Sequence, residues 1–353
     1  MAILISGAVS ALLTGARLLW AKPMLMCMDT PEDILWEAQL YVSWMYGGAA
    51  LTLANRLFGT LLLSFGNSRA PVIANTGSCV LNILLDLLFV GVFRWGVGGV
   101  AMATLAAQAA SALYCLAKLR AVLRLSPKDF AFSPHHLREL LRLGGPMAFR
   151  NGVVAVGGLF VQAAINGHGK LFVAGMAAAE KFFELVSFTG GAFEGAFATY
   201  SAQNFGAKGM ERVKQGLRCS VKLSFAGAGL IAVLVGLFGR GLIRLLVAGE
   251  PGSIEQITQV GYEYLVVLAL TVPLMYLVCL YRSGLQGMGS ALTPTLSGFL
   301  ELGLRMVSVV LLSAPLGKWA VYFASPLGWL GAAILLGISY HRTIIKICRA
   351  HMA

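Results

Sequence analysis

Charge is what this sequence has least of. Only 12% of its 353 residues are Asp, Glu, Lys or Arg, against roughly 25% in a soluble domain. With 58% hydrophobic residues, that deficit excludes an ordinary soluble globule and points to a polytopic membrane protein. Paired cysteines are also missing. Cys27, Cys79, Cys115, Cys219, Cys279 and Cys348 are scattered, with no CxxC spacing, so neither a disulfide framework nor a zinc site is indicated. The histidines show no ligand spacing, and His135-His136 are neighbours in a basic stretch. No Walker A motif occurs, and GVGGVA (96–101) is not GxGxxG. No cofactor, no metal and no catalytic residue are expected: a nucleophile–base pair is absent from the apolar segments. The basic start of a secretory signal is lacking as well, because Met1 runs straight into AILISGAVSALLTGARLLW. That stretch reads as a membrane helix that opens almost at the first residue.

The charge that is present is mostly positive, 27 Lys and Arg against 15 Asp and Glu. In a soluble chain this would suggest nucleic acid. In a membrane chain, cytoplasmic loops rich in Lys and Arg account for it, and no nucleic-acid partner is expected.

About 20 apolar residues span a bilayer as a helix. Stretches of that kind lie at roughly 2–21, 36–63, 71–93, 97–118, 146–166, 171–200, 220–247, 262–285, 294–314 and 319–340, so the expected fold is an all-α integral membrane protein of ten spans. The 118–142 stretch carries Lys118, Arg120, Arg124, Lys128, Arg138 and Arg142; the 203–222 stretch carries Lys208, Arg212, Lys214, Arg218 and Lys222; the tail carries Arg342, Lys346 and Arg349. With ten spans these fall on one side, the cytoplasm, together with both termini. The acidic MDTPEDILWE (28–37) falls on the other. The expected division is an N-terminal four-helix bundle (1–120), a cytoplasmic linker (121–145) and a C-terminal six-helix bundle (146–353).

The two halves align at an offset of 223 residues. Tyr41 meets Tyr264, Gly66 meets Gly289, Pro71 meets Pro294 and Leu81 meets Leu304. Both Gly-x4-Pro turns stand between two long spans, which reads as a duplicated helical bundle. In this register two helices of the second copy have no partner in the first, so the first copy is expected to lack two helices at its N-terminus.

Polar stripes run through several spans. Glu180, Glu184, Ser187, Gly191 and Glu194 are spaced to share one helix face. A carboxylate there must face protein or water. Glu184, near mid-span, could exchange protons or bind Na⁺, with Glu180 a turn away; the alternative is structural pairing with Lys181. Asn75, Cys79, Asn82 and Asp86 form a second stripe, read either as an ion or substrate site or as glue between helices. Asp86 lies past the middle of its span. Asn151, Ala155, Gly158, Gln162 and Asn166 share a face suited to a substrate wall or a tight contact. Ser297, Glu301 and Arg305 stand at i, i+4 and i+8, where Glu301–Arg305 reads as a buried pair and Arg305 as a cavity candidate. Phe183, Met176 and Tyr276 could stack a flat cation or simply pack.

Three segments carry a family resemblance: GNSRAPVIANTGSCVLNILLDLLFV with GVGGVAMATLAAQ within 66–108, FVAGMAAAEKFFELVSFTGGAFEGAFATYSAQNFGAKGMERVKQG (172–216), and SGLQGMGSALTP (283–294). The second holds Gln203, Asn204, Gly206, Ala207 and Arg212 in a QN-x-GA-x-x-x-x-R pattern. Together they resemble the multidrug and toxic compound extrusion (MATE) transporters. The resemblance implies two six-helix bundles, here with the first two helices of the first lacking. It also implies a central cavity and export of organic cations or drugs driven by Na⁺ or H⁺. Part of that family places its key aspartate on the first helix, which has no counterpart here; another part uses an acidic residue in the helix matching 262–285, where only Glu263 stands, at the outer end. The expected protein is a non-enzymatic, monomeric, multi-pass transporter of the cell membrane, surrounded by lipid and taking an amphipathic or cationic small molecule. A lipid-linked saccharide flippase and a non-transporting remnant or scaffold are the alternatives.

Overall fold

The computed structural model describes residues 2–27, 32–123, 132–247 and 251–352. Part of the acidic stretch at 28–37, and the linker cations Arg124 and Lys128, lie outside the described residues. The described chain is helical, with no strand among the described residues. It forms two compact units, Met1–Arg138 and Glu139–Ala353.

The first unit holds α1 (Ala2–Cys27), α2 (Glu32–Gly47), α3 (Ala49–Ser64), α4 (Arg69–Asp86) and α5 (Gly96–Val122), with a π-helical turn, Leu87–Val92, continuing α4. The expected single span at 36–63 is broken between α2 and α3. The cause is Gly48, whose missing side chain leaves room for Leu105 of α5; a Cβ there would collide with it. The Leu62, Ala70, Ala74, Cys115 and Leu119 side chains form a small core where α3, α4 and α5 meet.

The second unit holds α6 (Pro134–Gly167, whose first turns lie before the unit boundary), α7 (Lys170–Gly206), α8 (Met210–Leu246), α9 (Pro251–Gly287), α10 (Leu292–Leu311), α11 (Ser313–Leu316), α12 (Lys318–Tyr322) and α13 (Ala324–Met352). The helix α9 is the axis of its core: Leu265, Leu268, Val272, Tyr276, Leu280 and Leu285 are buried among α7, α8 and α13. A helix apolar on all sides belongs in such a position. Close approach depends on small residues. Gly175 of α7 faces Gly261 of α9, and a Cβ on Gly261 would lie 2.8 Å from the Gly175 carbonyl oxygen. The expected span at 319–340 is displaced, because a break at Phe323 separates α12 from α13. Pro326 in the first turn of α13 suits a helix start, where no N–H is needed.

Seven of these helices are long and apolar enough to cross a membrane; Ile3–Gly15 and Ala49–Ser64 are shorter apolar helices. Long as it is, α7 is absent from the seven; it carries Glu180, Lys181, Glu184 and Glu194. The basic stretches read as loops are largely helical. Gln203 and Asn204 close α7, a turn covers 207–209, and Arg212, Lys214 and Arg218 already belong to α8. Arg342 and Lys346 lie on α13.

Candidate functional site

In the first unit, α4 carries Asn75, which faces a cleft shared with α3 and α5, and Asn82, which faces α5, and it ends at Asp86. Asn82 Nδ2 reaches Thr104 Oγ1 of α5 at 3.5 Å, and Thr104 itself donates to the Val100 carbonyl at 3.0 Å. Asp86 is the last α-helical residue before the π turn, and its Oδ1 is buried with no hydrogen-bond partner. Bulges of this kind recur at functional sites. Asn75 lines a separate polar cleft of about 320 Å³ with Thr52, Asn55, Arg56, Thr60 and Gln108. Its walls are fixed by Ser111 donating to Asn55 Oδ1 at 2.8 Å and by Thr52 donating to Gln108. Cys79, between them in the stripe, is exposed and free.

In the second unit, the α7 stripe divides into three environments. Glu184 is exposed and lies 3.6 Å from Lys181, with 61% and 69% of the two side chains accessible. The Tyr264 hydroxyl donates to Glu180 Oε1 at 2.7 Å. Glu194 is half-buried beside the Cys279 thiol. The stripe therefore does not converge on one point.

The densest charge in this unit lies elsewhere, where α6, α9, α10 and α13 meet. Glu301 is 5% exposed. Its Oε1 takes Arg305 at 2.7 Å and its Oε2 takes Arg282 at 3.6 Å. The pairing of Glu301 with Arg305 follows the i, i+4 spacing; Arg282 is the partner that the spacing did not indicate. Gly328 lets α13 close over this group, since a Cβ there would stand 2.9 Å from Glu301 Cγ. A cavity of about 160 Å³ opens beside it, lined by Arg150, Asn151, Cys279, Arg282, Glu301 and Trp329 among others.

The remaining expected residues take varied places. Arg150 Nη2 donates to Asn151 Oδ1 at 2.7 Å, and Gln162 donates to Asn166 at 3.0 Å on the exposed face of α6. Phe183 stacks on Trp329 with ring centroids 5.6 Å apart. Tyr276 is 1% exposed and bonds Thr189, so it is core rather than the wall of an open cavity, and Met176 is equally buried. Glu263 is engaged by Lys318 at 2.6 Å and Gln259 at 2.8 Å. Two further features carry a signal in the sequence. Arg282 is the one charged side chain between Glu263 and Gly287. Thr52, Asn55, Gln108 and Ser111 are polar residues inside apolar runs, facing one another only because α3 packs on α5. Among the described residues no group of acidic, His and Cys side chains is arranged to hold a metal ion.

The MatE family profile matches residues 1–88 and 146–311. The chain is similar to the "Probable multidrug resistance protein YpnP" of Bacillus subtilis, 26% identical over 323 residues that cover 90% of this chain and 68% of that protein. It is similar also to the "FAD transporter" of Shewanella oneidensis, 23% identical over 359 residues, 98% of this chain and 76% of that one. Two solved structures share its fold. One is an outward-facing multidrug resistance MATE family transporter of the MOP superfamily, with TM-score 0.88 and 19% identity over 99% of this chain and 78% of that one. The other is a MOP superfamily transporter from Pyrococcus furiosus, with TM-score 0.89 and 19% identity over 98% and 78%. With the profile matching both units over most of the sequence, the chain belongs to the MatE family, the MATE multidrug efflux transporters.

Proposed function

We propose that this protein exports amphipathic or cationic small molecules by alternating access, coupled to Na⁺ or H⁺, with Asp86 as the coupling carboxylate. One observation carries the choice of residue: Asp86 Oδ1 is buried and unpartnered beside Asn82. A coupling group must gain and lose a cation within each cycle. A carboxylate already held by buried cations cannot do so, and Glu301 has two; Glu184 is exposed beside Lys181 rather than enclosed in a site. Glu180 has a donated hydroxyl instead. Asp86 keeps an acceptor free, with the Asn82 amide and the Thr104 hydroxyl at hand to complete an oxygen-rich cation site or to orient a proton. Intramembrane carboxylates are costly and by default functional. Substrate of the amphipathic or cationic kind is supported by the resistance proteins among the relatives. The cell membrane, with the basic connections on the cytoplasmic side, is supported by Lys208 and Arg212 at the α7–α8 turn and by Arg342 and Lys346 on the last turns of α13.

The test is efflux of a fluorescent organic cation from proteoliposomes under an imposed Na⁺ or proton gradient. Asp86→Asn keeps the shape and removes the charge. It should abolish gradient-driven efflux while membrane insertion survives, and Glu184→Gln should retain most of it. Efflux by Asp86→Asn at the wild-type rate would remove this residue from the coupling.

A further inference from the structure

Where α6, α9, α10 and α13 meet, the second unit holds an arginine, Arg150, with no ion-pair partner among the described residues. We propose that the cavity bounded by Arg150, Arg282 and Glu301 binds an oxyanion, the phosphate or carboxylate of a small molecule or of a lipid headgroup, with Arg150 as its main contact.

Glu301 pairs with Arg305 at 2.7 Å and with Arg282 at 3.6 Å, and no ion pair joins it to Arg150. The other carboxylate whose field reaches Arg150 is Glu194, which lies against the Cys279 thiol, and Glu180 is held by Tyr264. Of the charged side chains that line the cavity, Arg150, Arg282 and Glu301, Glu301 pairs with Arg282, and Arg150 has no ion-pair partner among the described residues. Its single hydrogen bond goes to a neutral amide, Asn151. Its Nε and Nη1 are buried without partners, as are Arg282 Nε and Arg305 Nε.

Buried donors are almost always satisfied, and an unpaired charge away from water is destabilising unless something compensates it. Arg150 and Arg282, which both line the cavity and both keep guanidinium nitrogens without partners, describe the complement of a negatively charged, multi-oxygen group. The planar fork of arginine matches phosphate and carboxylate in particular. The cavity, about 160 Å³, is below the 300–1,000 Å³ usual for a whole small molecule. It suits one charged group of a larger ligand, with Asn151 exposed at its edge. The packing keeps Arg150 in place: a Cβ on Gly298 of α10 would stand 2.5 Å from Arg150 Cγ, so the arginine stem fills the space that glycine leaves.

The experiment uses the purified full chain in an uncharged maltoside detergent, with inorganic phosphate as the probe and chloride at matched ionic strength as the control. Phosphate should raise the unfolding temperature in a dose-dependent way and bind measurably by calorimetry. Arg150→Met keeps the stem over Gly298 and removes the charge; it should weaken phosphate about tenfold or more. Arg150→Lys should fall between the two, since it keeps the charge without the fork. Glu194→Gln should tighten phosphate by about threefold or more by removing a nearby negative charge, an effect in the opposite direction that a merely structural cluster would not show. In nanodiscs, exchanging phosphatidylcholine for phosphatidylglycerol separates the two sources. Displacement of phosphate by the anionic lipid assigns the cavity to a headgroup, and retention assigns it to a water-soluble oxyanion. The proposal is overturned if neither phosphate nor the anionic lipid acts beyond the chloride control. Should Arg150→Met not fold, wild-type binding by both Arg150→Lys and Glu194→Gln overturns it equally. Binding is read at equilibrium with no gradient, so its failure leaves export through Asp86 standing, and the failure of export leaves this site standing.

Discussion

The two units share a turn and differ in their chemistry. In the first, Gly66 follows the end of α3, with φ 81°; its N–H bonds the Leu63 carbonyl and that of Asn67 bonds Leu62, both at 2.9 Å. In the second, Gly289 follows the end of α9, with φ 80°; its N–H bonds Gln286 and that of Ser290 bonds Leu285, again at 2.9 Å. These are the same helix-ending motif at the same 223-residue offset, followed in each case by a proline in the next helix. Backbone geometry has been kept where side chains have diverged. At the position of Asn82 the second unit has Arg305, and at that of Asp86 it has Val309. One copy presents a carboxylate with a free oxygen, and the other a carboxylate with both oxygens bound. Duplication has thus left one scaffold carrying a carboxylate oxygen without a partner and one carrying an ion-paired network.

That contrast can be broken most forcefully at Glu301. Glu301→Gln strips Arg282 and Arg305 of their anion inside the unit. Breaking a buried pair in this way costs about 3–5 kcal/mol. Asp86→Asn, by contrast, removes a charge that no protein group compensates, and should stay within about 1 kcal/mol of wild type. Chemical unfolding in detergent would measure both. Equal losses would mean that Asp86 is as firmly bound as Glu301 and would end the distinction.

The shared turn gives a smaller effect. Alanine at Gly66 or Gly289 must adopt a positive φ, which costs on the order of 1 kcal/mol. Nothing lies within 4 Å of the Cβ that Gly289→Ala would add, so there the cost is conformational, and the same backbone turn at Gly66 should give a like cost. Unfolding midpoints that differ by more than about 1 kcal/mol between the two variants would show that the units do not use the turn equivalently.

How much of this was legible in the sequence follows from what kind of signal each feature leaves. The membrane class, the helical fold and the repeat were legible because they rest on composition and on Gly and Pro at fixed places. The Glu301–Arg305 pair was legible because both residues lie on one helix, one turn apart. Arg282 was not joined to it, because that contact runs between α9 and α10 and no spacing within a helix encodes it. The α7 stripe carries a different kind of signal. Periodicity puts Glu180, Glu184 and Glu194 on one face, but a helix of 37 residues carries that face past several different neighbours, so the three carboxylates meet a tyrosine, a lysine and a thiol. The break at Gly48 depends on the bulk of Leu105, more than fifty residues on, and the ending of α12 at Tyr322 likewise had no local mark strong enough to show through an apolar run.

The smallest expected effect lies at Arg94, where the repeat is imperfect. Arg94 has φ 57°, and its counterpart at the same offset is Gly317, with φ 54°. Both copies take a positive φ here, one at a glycine and the other at an exposed arginine. An L-residue with a side chain loses roughly 1–2 kcal/mol in that conformation. Arg94→Gly should recover this, less the roughly 0.4–1 kcal/mol by which glycine loosens the unfolded chain. The net expectation is a gain of about 0.5–1 kcal/mol, seen as a small rise in the unfolding midpoint in detergent. Gly317→Ala should move the midpoint the other way, since its ψ of −129° lies in a region open almost only to glycine. Were Arg94→Gly to lower the midpoint instead, the arginine would be contributing through its charge or its long stem, and the two copies would have solved the same backbone bend by different means.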